Sequence, residues 1–271
     1  MKNTIFPAYV VIDFSESMTE PVDSNGKRTR IDVAKDIIPT LLESMKKDAS
    51  VAESLRVRVI GFNQSIIFCT ELFDYYELNQ WYEREKSSFE LKCKWQTWYG
   101  SVFEKLYECI NKDVNSIASE KKGYYRPLVY FLTDGRPEGE NTDDREKKYH
   151  KLVNNIDSHR NPVIFCVGIG SGDMSILKRY GASSLGSNNG EYRTHNNKMT
   201  FIIKKGVKTG DALEVLNENI VETIKYSLQQ RVGASGKSNK MEIDIGVIDP
   251  DVIDPDEIDP LIVYFGRDRL S

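Results

Sequence analysis

Over the first 230 positions, short unbroken apolar runs alternate with stretches whose apolar residues recur every three or four places. Residues 8–12 (AYVVI), 127–132 (PLVYFL) and 162–167 (PVIFCV) are rich in β-forming side chains and flanked by proline or polar residues. Such runs predict strands buried on both faces, as in a parallel sheet covered by helices. Residues 55–62 (LRVRVIGF) alternate apolar with basic side chains and predict a half-buried strand. Residues 65–70 (SIIFCT) follow after a short connection containing Asn63, so the two runs predict a hairpin. Residues 200–204 (TFIIK) predict a last edge strand.

The three-and-four spacing predicts the helices. Ile31, Ala34, Ile38, Leu41, Leu42 and Met45 mark one over residues 30–47, with a kink at Pro39. Val102, Leu106, Cys109, Ile110 and Ile117 mark a second over residues 99–119, with the polar Asp113 on the same stripe. Residues 143–158 and 173–180 read as two more, and the spacing from Ala212 to Leu228 outlines a final one. Residues 71–96 are irregular, aromatic and charged, with room for a short helix, and residues 181–198 are loop-like. Strands alternating with helices in this order predict an α/β sheet with helices on both faces.

After Gln230 the pattern breaks. Residues 231–240 (RVGASGKSNK) read as a flexible linker, and a five-residue unit then recurs: VIDPD at 247–251, VIDPD at 252–256 and EIDP at 257–260. A period of five fits neither helix nor strand, and Pro250, Pro255 and Pro260 forbid a continuous helix. The segment is therefore predicted to be extended or polyproline-like. The chain divides into a domain at 1–230, a linker at 231–240 and an acidic Ile-Asp-Pro repeat tail at 241–271. Charge sharpens the division. Residues 241–260 hold eight acidic residues and no Lys or Arg, against −4 for the whole chain, which leaves +4 on the remainder.

Composition excludes several classes. With 39% hydrophobic and 29% charged residues, the chain is not disordered throughout. No window approaches the roughly 18 consecutive apolar residues of a membrane helix, and the first residues lack a signal-peptide pattern, so a cytoplasmic protein is expected. Cys69, Cys93, Cys109 and Cys166 are nowhere spaced as CxxC and read as reduced thiols. The three histidines stand at no metal-ligand spacing, which argues against a structural zinc site. Lys and Arg are scattered rather than striped, which argues against nucleic-acid binding.

In an open α/β sheet, ligands bind beyond the carboxyl ends of the strands. Two such ends carry oxygen ligands here: the first strand leaves through DFSES (residues 13–17) and a later one through Thr133, Asp134 and Gly135. Asp13, Ser15 and Ser17 share parity, so their side chains point the same way if the strand direction persists. Two carboxylates and two hydroxyls make an oxygen-only cluster suited to a hard divalent cation.

DFSES resembles the DxSxS motif of the von Willebrand factor type A domain, and FLTDG (residues 131–135) resembles that family's fourth-strand Asp motif. Thr97-Trp98-Tyr99-Gly100 matches the family's T-x-x-G, with Trp98 and Tyr99 where small residues are usual. The resemblance covers residues 5–229 and is nearest the bacterial intracellular TerY-type proteins. It implies a Rossmann-like, doubly wound, mostly parallel sheet with one antiparallel edge strand. It also implies a metal-ion-dependent adhesion site in which Asp13, Ser15, Ser17, Thr97 and Asp134 hold Mg²⁺ or Mn²⁺. Such a site accepts a Glu or Asp carboxylate from a partner protein, and the TerY-type relatives point to stress-response or defence systems with kinase and phosphatase components.

A non-catalytic, metal-dependent interaction module that docks an acidic partner is the leading expectation. GIGSG at 168–172 is not G-x-G-x-x-G, and Ser15 and Ser17 lack the G-x-S-x-G elbow of a hydrolase. Gly236-Lys237-Ser238 lacks the first glycine of a P-loop and the strand before it. The alternative class is a metal-dependent phosphotransfer enzyme or regulator of phosphoproteins, motivated by the carboxylate cluster. The aromatic residues Phe73, Tyr75, Tyr76, Trp81, Tyr82, Trp95, Trp98 and Tyr99 read either as local core over the sheet edge or as a contact surface beside the metal. The tail reads either as solvated or as a ligand for a basic groove on a partner or on another copy of the chain.

Overall fold

Strand β1 (Thr4–Asp13) runs through the middle of a seven-stranded sheet, and all ten of its residues are buried. The computed structural model describes residues 4–22, 27–135, 137–155, 160–170, 174–181, 200–203, 240–243 and 261–264. β1 lies between β2 (Leu55–Phe62) and β5 (Leu128–Thr133), parallel to both. Beyond β5 come β6 (Val163–Ile169) and β7 (Thr200–Ile203), also parallel. On the other edge β3 (Ile66–Cys69) pairs antiparallel with β2, as the hairpin pattern predicts. β4 (Gly123–Tyr124) pairs with the start of β1.

Alternation along β1 explains why both faces are covered. Ala8, Val10 and Ile12 join one core with α1 (Arg30–Lys35), α2 (Ile37–Lys47), α3 (Ala49–Ser54), α4 (Tyr75–Glu85) and α5 (Phe89–Lys92). Tyr9 and Val11 join the other with α6 (Tyr99–Ser119), α7 (Thr142–Val153) and α8 (Met174–Tyr180). Each aliphatic or aromatic side chain so enclosed contributes roughly 1.5–3 kcal/mol relative to exposure. Among the described residues no helix is long and apolar enough to cross a membrane.

Three expectations change. The helix anticipated over 30–47 is two helices broken at Asp36, with Pro39 in the first turn of α2 rather than at a kink. Pro39 has no N–H to give to the carbonyl four residues back, and the first turn of a helix is where that donor is dispensable. β2 is not half-buried: Arg58 is 2% exposed, and only Arg56 reaches partway to solvent. The aromatic segment divides, with Trp81, Tyr82 and Phe89 in the core while Tyr76 and Trp95 are 73% and 65% exposed.

Where the tail is described it is extended, and it is also paired. β8 (Lys240–Ile243) and β9 (Leu261–Tyr264) form an antiparallel ladder from Lys240 opposite Tyr264 to Ile243 opposite Leu261. The anticipated helix over 212–228, the loop over 182–198, most of the linker and the repeats themselves lie outside the described residues.

Candidate metal centre

The order of the sheet reverses between β1 and β5, so a crevice opens beyond their carboxyl ends. Val129 and Phe131 of β5 face the α6 side, like Tyr9 and Val11 of β1. Asp13 and Thr133, each two positions further along, continue that face. Ile12 stands opposite Leu132, which makes Asp13 and Thr133 neighbours, and Thr133 Oγ1 donates to Asp13 Oδ2 at 2.6 Å. Ser15 N donates to Asp13 Oδ1 at 2.7 Å, and Thr97 Oγ1 to Oδ2 at 3.3 Å.

Strand geometry does not persist through DFSES, because Glu16–Thr19 forms a single 3-10 turn. The turn still leaves the Ser15 and Ser17 hydroxyls 3.1 Å apart, and Ser17 Oγ donates to Asp134 Oδ1 at 3.0 Å. The structure thus brings Asp13, Ser15, Ser17, Thr97 and Asp134 into one hydrogen-bonded cluster. Ser15, Ser17, Thr97 and Asp134 line a cavity of about 850 Å³, whose walls also include Glu16, Glu20, Arg30 and Glu138, while Asp13 is fully buried beside them.

Thr97 comes from a loop clamped by its backbone. Lys94 N donates to Phe14 O, Glu16 N to Trp95 O, Trp98 N to Asn63 O and Glu138 N to Thr97 O, all at 2.9–3.0 Å. Trp95, at φ 67°, turns that loop and leaves its indole exposed beside the cavity. Tyr99 is fully buried rather than on the ligand face. Its hydroxyl donates to Gly135 O at 2.6 Å and lies 3.3 Å from Thr133 Oγ1, tying the start of α6 to the exit of β5. Glu140 accepts from Tyr99 N at 3.0 Å and Gly100 N at 2.8 Å, capping α6 from a different loop. A Cβ on Gly100 would stand 3.1 Å from Glu140 Oε2, so the glycine of T-x-x-G makes room for the cap.

Two buried carboxylates in one cluster set its electrostatics. Burial, and then the neighbouring Asp134, push the Asp13 carboxyl up to about 6 against the hydrogen bonds from Thr133 and Ser15. Asp134 meets the Nη1 of Arg30, which also donates to Ser17 O at 3.3 Å, while Nη2 pairs with Glu20 at 2.7 Å. Gly170, at φ +85°, lets Arg30 lie close, since a Cβ there would come 2.9 Å from Nε.

This donor set fits a hard divalent cation. All five side chains offer oxygen, and two desolvated carboxylates gain from a shared positive charge. Among the described residues no group of three or more His, Cys, Asp or Glu is placed to hold a metal, so hydroxyls would have to complete the shell. Sequence reasoning named Thr133 at the strand exit without giving it a role, and missed Arg30 and Glu140. The parity of Asp13 and Thr133 at the ends of adjacent parallel strands could have revealed the role of the first. Nothing in the sequence pairs the other two with the centre.

The von Willebrand factor type A domain family matches residues 9–201. No match is found among curated proteins. Among solved structures, the chain resembles a von Willebrand factor type A protein from Catenulispora acidiphila (TM-score 0.55, 16% identity, covering 80% of this chain and 43% of that one). It also resembles proximal thread matrix protein 1 from the mussel byssus, in a form whose metal-ion-dependent adhesion motif is occupied by zinc (TM-score 0.52, 14% identity, 81% and 48%). A third is the pilus adhesin SpaC from Lactobacillus rhamnosus GG (TM-score 0.51, 14% identity, 82% and 30%). The chain spans less than half the length of these structures, and at such identities they share its fold alone. The match over residues 9–201 shows that the chain belongs to the von Willebrand factor type A domain family.

Proposed function

We propose that this protein is a non-catalytic interaction module that captures a carboxylate of a partner protein through Mg²⁺ or Mn²⁺ held by Asp13, Ser15, Ser17, Thr97 and Asp134. The observation that carries the reading is the convergence of these five oxygen-bearing side chains in one hydrogen-bonded cluster, of which Ser15, Ser17, Thr97 and Asp134 line one cavity. A divalent cation bound there supplies an electrophilic position that a partner's Glu or Asp can fill. The chain's own part is to fix the ligands: Thr133 and Ser15 N orient Asp13, and Tyr99 joins the two loops.

The cavity wall narrows the partner. Glu16, Glu20 and Glu138 surround the cluster with Arg30. A single carboxylate on a neutral or basic surface fits this rim better than a run of acidic residues, which like charges would repel. On the resemblance of its motifs the protein is assigned to the bacterial cytoplasmic TerY-like branch, with a partner in a stress-response or defence system containing kinase and phosphatase components.

Pull-down with and without Mg²⁺ tests the reading, using wild type, Asp13→Ala and Asp134→Ala. Metal-dependent capture should vanish in both variants while circular dichroism stays native. Capture that survives both substitutions and EDTA would overturn it, and metal-dependent turnover of a phosphoester, lost with Asp13→Ala, would favour a phosphotransfer enzyme.

A further inference from the structure

Away from the metal centre, the edge strand β3 and the helix α6 bring two thiols together. Cys69 ends β3 and is half-buried, whereas Cys109, in α6, is buried. Their sulfurs lie 3.6 Å apart. A disulfide needs a separation of about 2.05 Å, so closure by about 1.5 Å is required.

The surroundings make the two thiols unequal. Arg58 Nη1 lies 3.6 Å from Cys69 Sγ, and Arg58 is itself fixed by Asp113 and by Thr70 O. The Cys109 thiol and the Arg58 guanidinium hold the Cys69 thiol below its ordinary value against burial, with a further contribution from Lys105. Cys109 is pushed the other way, by Cys69 and by burial. Half-buried and beside Arg58, Cys69 is the thiol a peroxide reaches first, and the buried Cys109 is the reserve. Cys166, fully buried, is pushed up by burial, and Cys93 is buried on the opposite side of the sheet, so each serves as an internal control.

We propose that Cys69 and Cys109 are a peroxide-reactive thiol pair that closes to an intramolecular disulfide joining β3 to α6. The Cys69 thiolate attacks one oxygen of a hydroperoxide, and the O–O bond breaks. The departing oxygen takes a proton, leaving as water when the oxidant is hydrogen peroxide, and Cys69 becomes a sulfenic acid. Cys109 then attacks the Cys69 sulfur, the S–O bond breaks, and hydroxide leaves as water with the Cys109 proton. Two thiols lose two electrons in all, and the peroxide gains them.

The test treats the full chain, freed of reductant, with hydrogen peroxide, then alkylates remaining thiols in denaturant and maps the peptides by mass spectrometry. The expected result is loss of two of the four alkylatable thiols, a linked Cys69–Cys109 peptide that dithiothreitol releases, and full alkylation of Cys93 and Cys166. In Cys109→Ser, or Cys109→Ala if the serine fails to fold, Cys69 should be trapped as a sulfenic acid by dimedone. Sulfinic acid on Cys69 with Cys109 still free in the wild type, a Cys69–Cys69 dimer, or four free thiols would each overturn the proposal.

Discussion

Arg58 on β2 and Asp113 on α6 form a buried ion pair closed by two hydrogen bonds, Nε to Oδ2 at 2.9 Å and Nη2 to Oδ1 at 2.6 Å. Tyr9 donates its hydroxyl to the same Oδ2 at 3.0 Å, so one carboxylate gathers strand β1, strand β2 and helix α6. Burial, and then Asp113, raise the Tyr9 hydroxyl well above its ordinary value and keep it neutral. Desolvation offsets much of what such a pair gains, yet removing one partner strands the other charge. Asp113→Ala should therefore cost about 3–5 kcal/mol in urea unfolding. The double variant Arg58→Met with Asp113→Leu should be more stable than Asp113→Ala alone, and a double variant that is less stable would contradict this account.

The proposed metal site predicts a stability response. A cation that binds only the folded state stabilises it by about 2.7 kcal/mol at a hundredfold excess over Kd. The wild-type melting temperature should rise with added Mg²⁺ and fall back with EDTA. Asp134→Ala should abolish the rise and Thr97→Ala should reduce it. Asp13→Asn should lose the rise while keeping or raising metal-free stability, because it relieves a carboxyl that burial and Asp134 already push toward protonation. Differential scanning calorimetry separates the two effects, and a full Mg²⁺ response in Asp134→Ala would remove Asp134 from the centre.

Arg30 has the opposite sign. Its guanidinium sits on Asp134 and spends positive charge where the proposed cation would bind. Arg30→Gln should tighten Mg²⁺ binding by roughly tenfold, equivalent to about 1.4 kcal/mol, if the like-charge repulsion outweighs the loss of its contact with Ser17 O. Isothermal titration calorimetry reads this directly. Weaker binding in the variant would mean that Arg30 serves mainly to hold the Ser17 turn.

Much of this fold was legible because the sheet is covered on both faces, so β1, β5 and β6 read as unbroken apolar runs. Asp13, Ser15, Ser17 and Asp134 were legible for a related reason, since each lies at or just beyond a strand end in a short contiguous motif, whereas Thr97 was legible only through the resemblance of residues 97–100 to the family's T-x-x-G. Arg58 and Asp113 were not. Arg58 looked like an ordinary polar position on a half-buried strand and Asp113 like a lone polar residue on an apolar stripe, and only the packing of α6 across β2 turns the two into a pair. The break at Asp36 was obscured because Ile31 to Met45 keeps helical spacing across it. The pairing of β8 with β9 was hidden by the distance along the chain between them.

Glu140 shows the same limit and gives a further test. It precedes α7 in the chain but caps α6, accepting from Tyr99 N and Gly100 N, while Arg145 Nη1 donates to its Oε1 at 3.2 Å. Those two N–H groups are among the donors that a helix start leaves without intrahelical partners, and the positive end of the helix favours an anion there. Glu140→Ala should cost about 1–2 kcal/mol, in the range of a lost N-cap. Because Thr97 lies two residues before α6, the loosened first turn should also weaken Mg²⁺ binding several-fold. Glu140→Gln keeps acceptor oxygen but loses the charge, and should fall between wild type and alanine in both measurements. If the alanine variant loses stability but binds Mg²⁺ like wild type, Thr97 is held by the loop's own backbone bonds to Asn63 and Glu138, and the cap serves the helix alone.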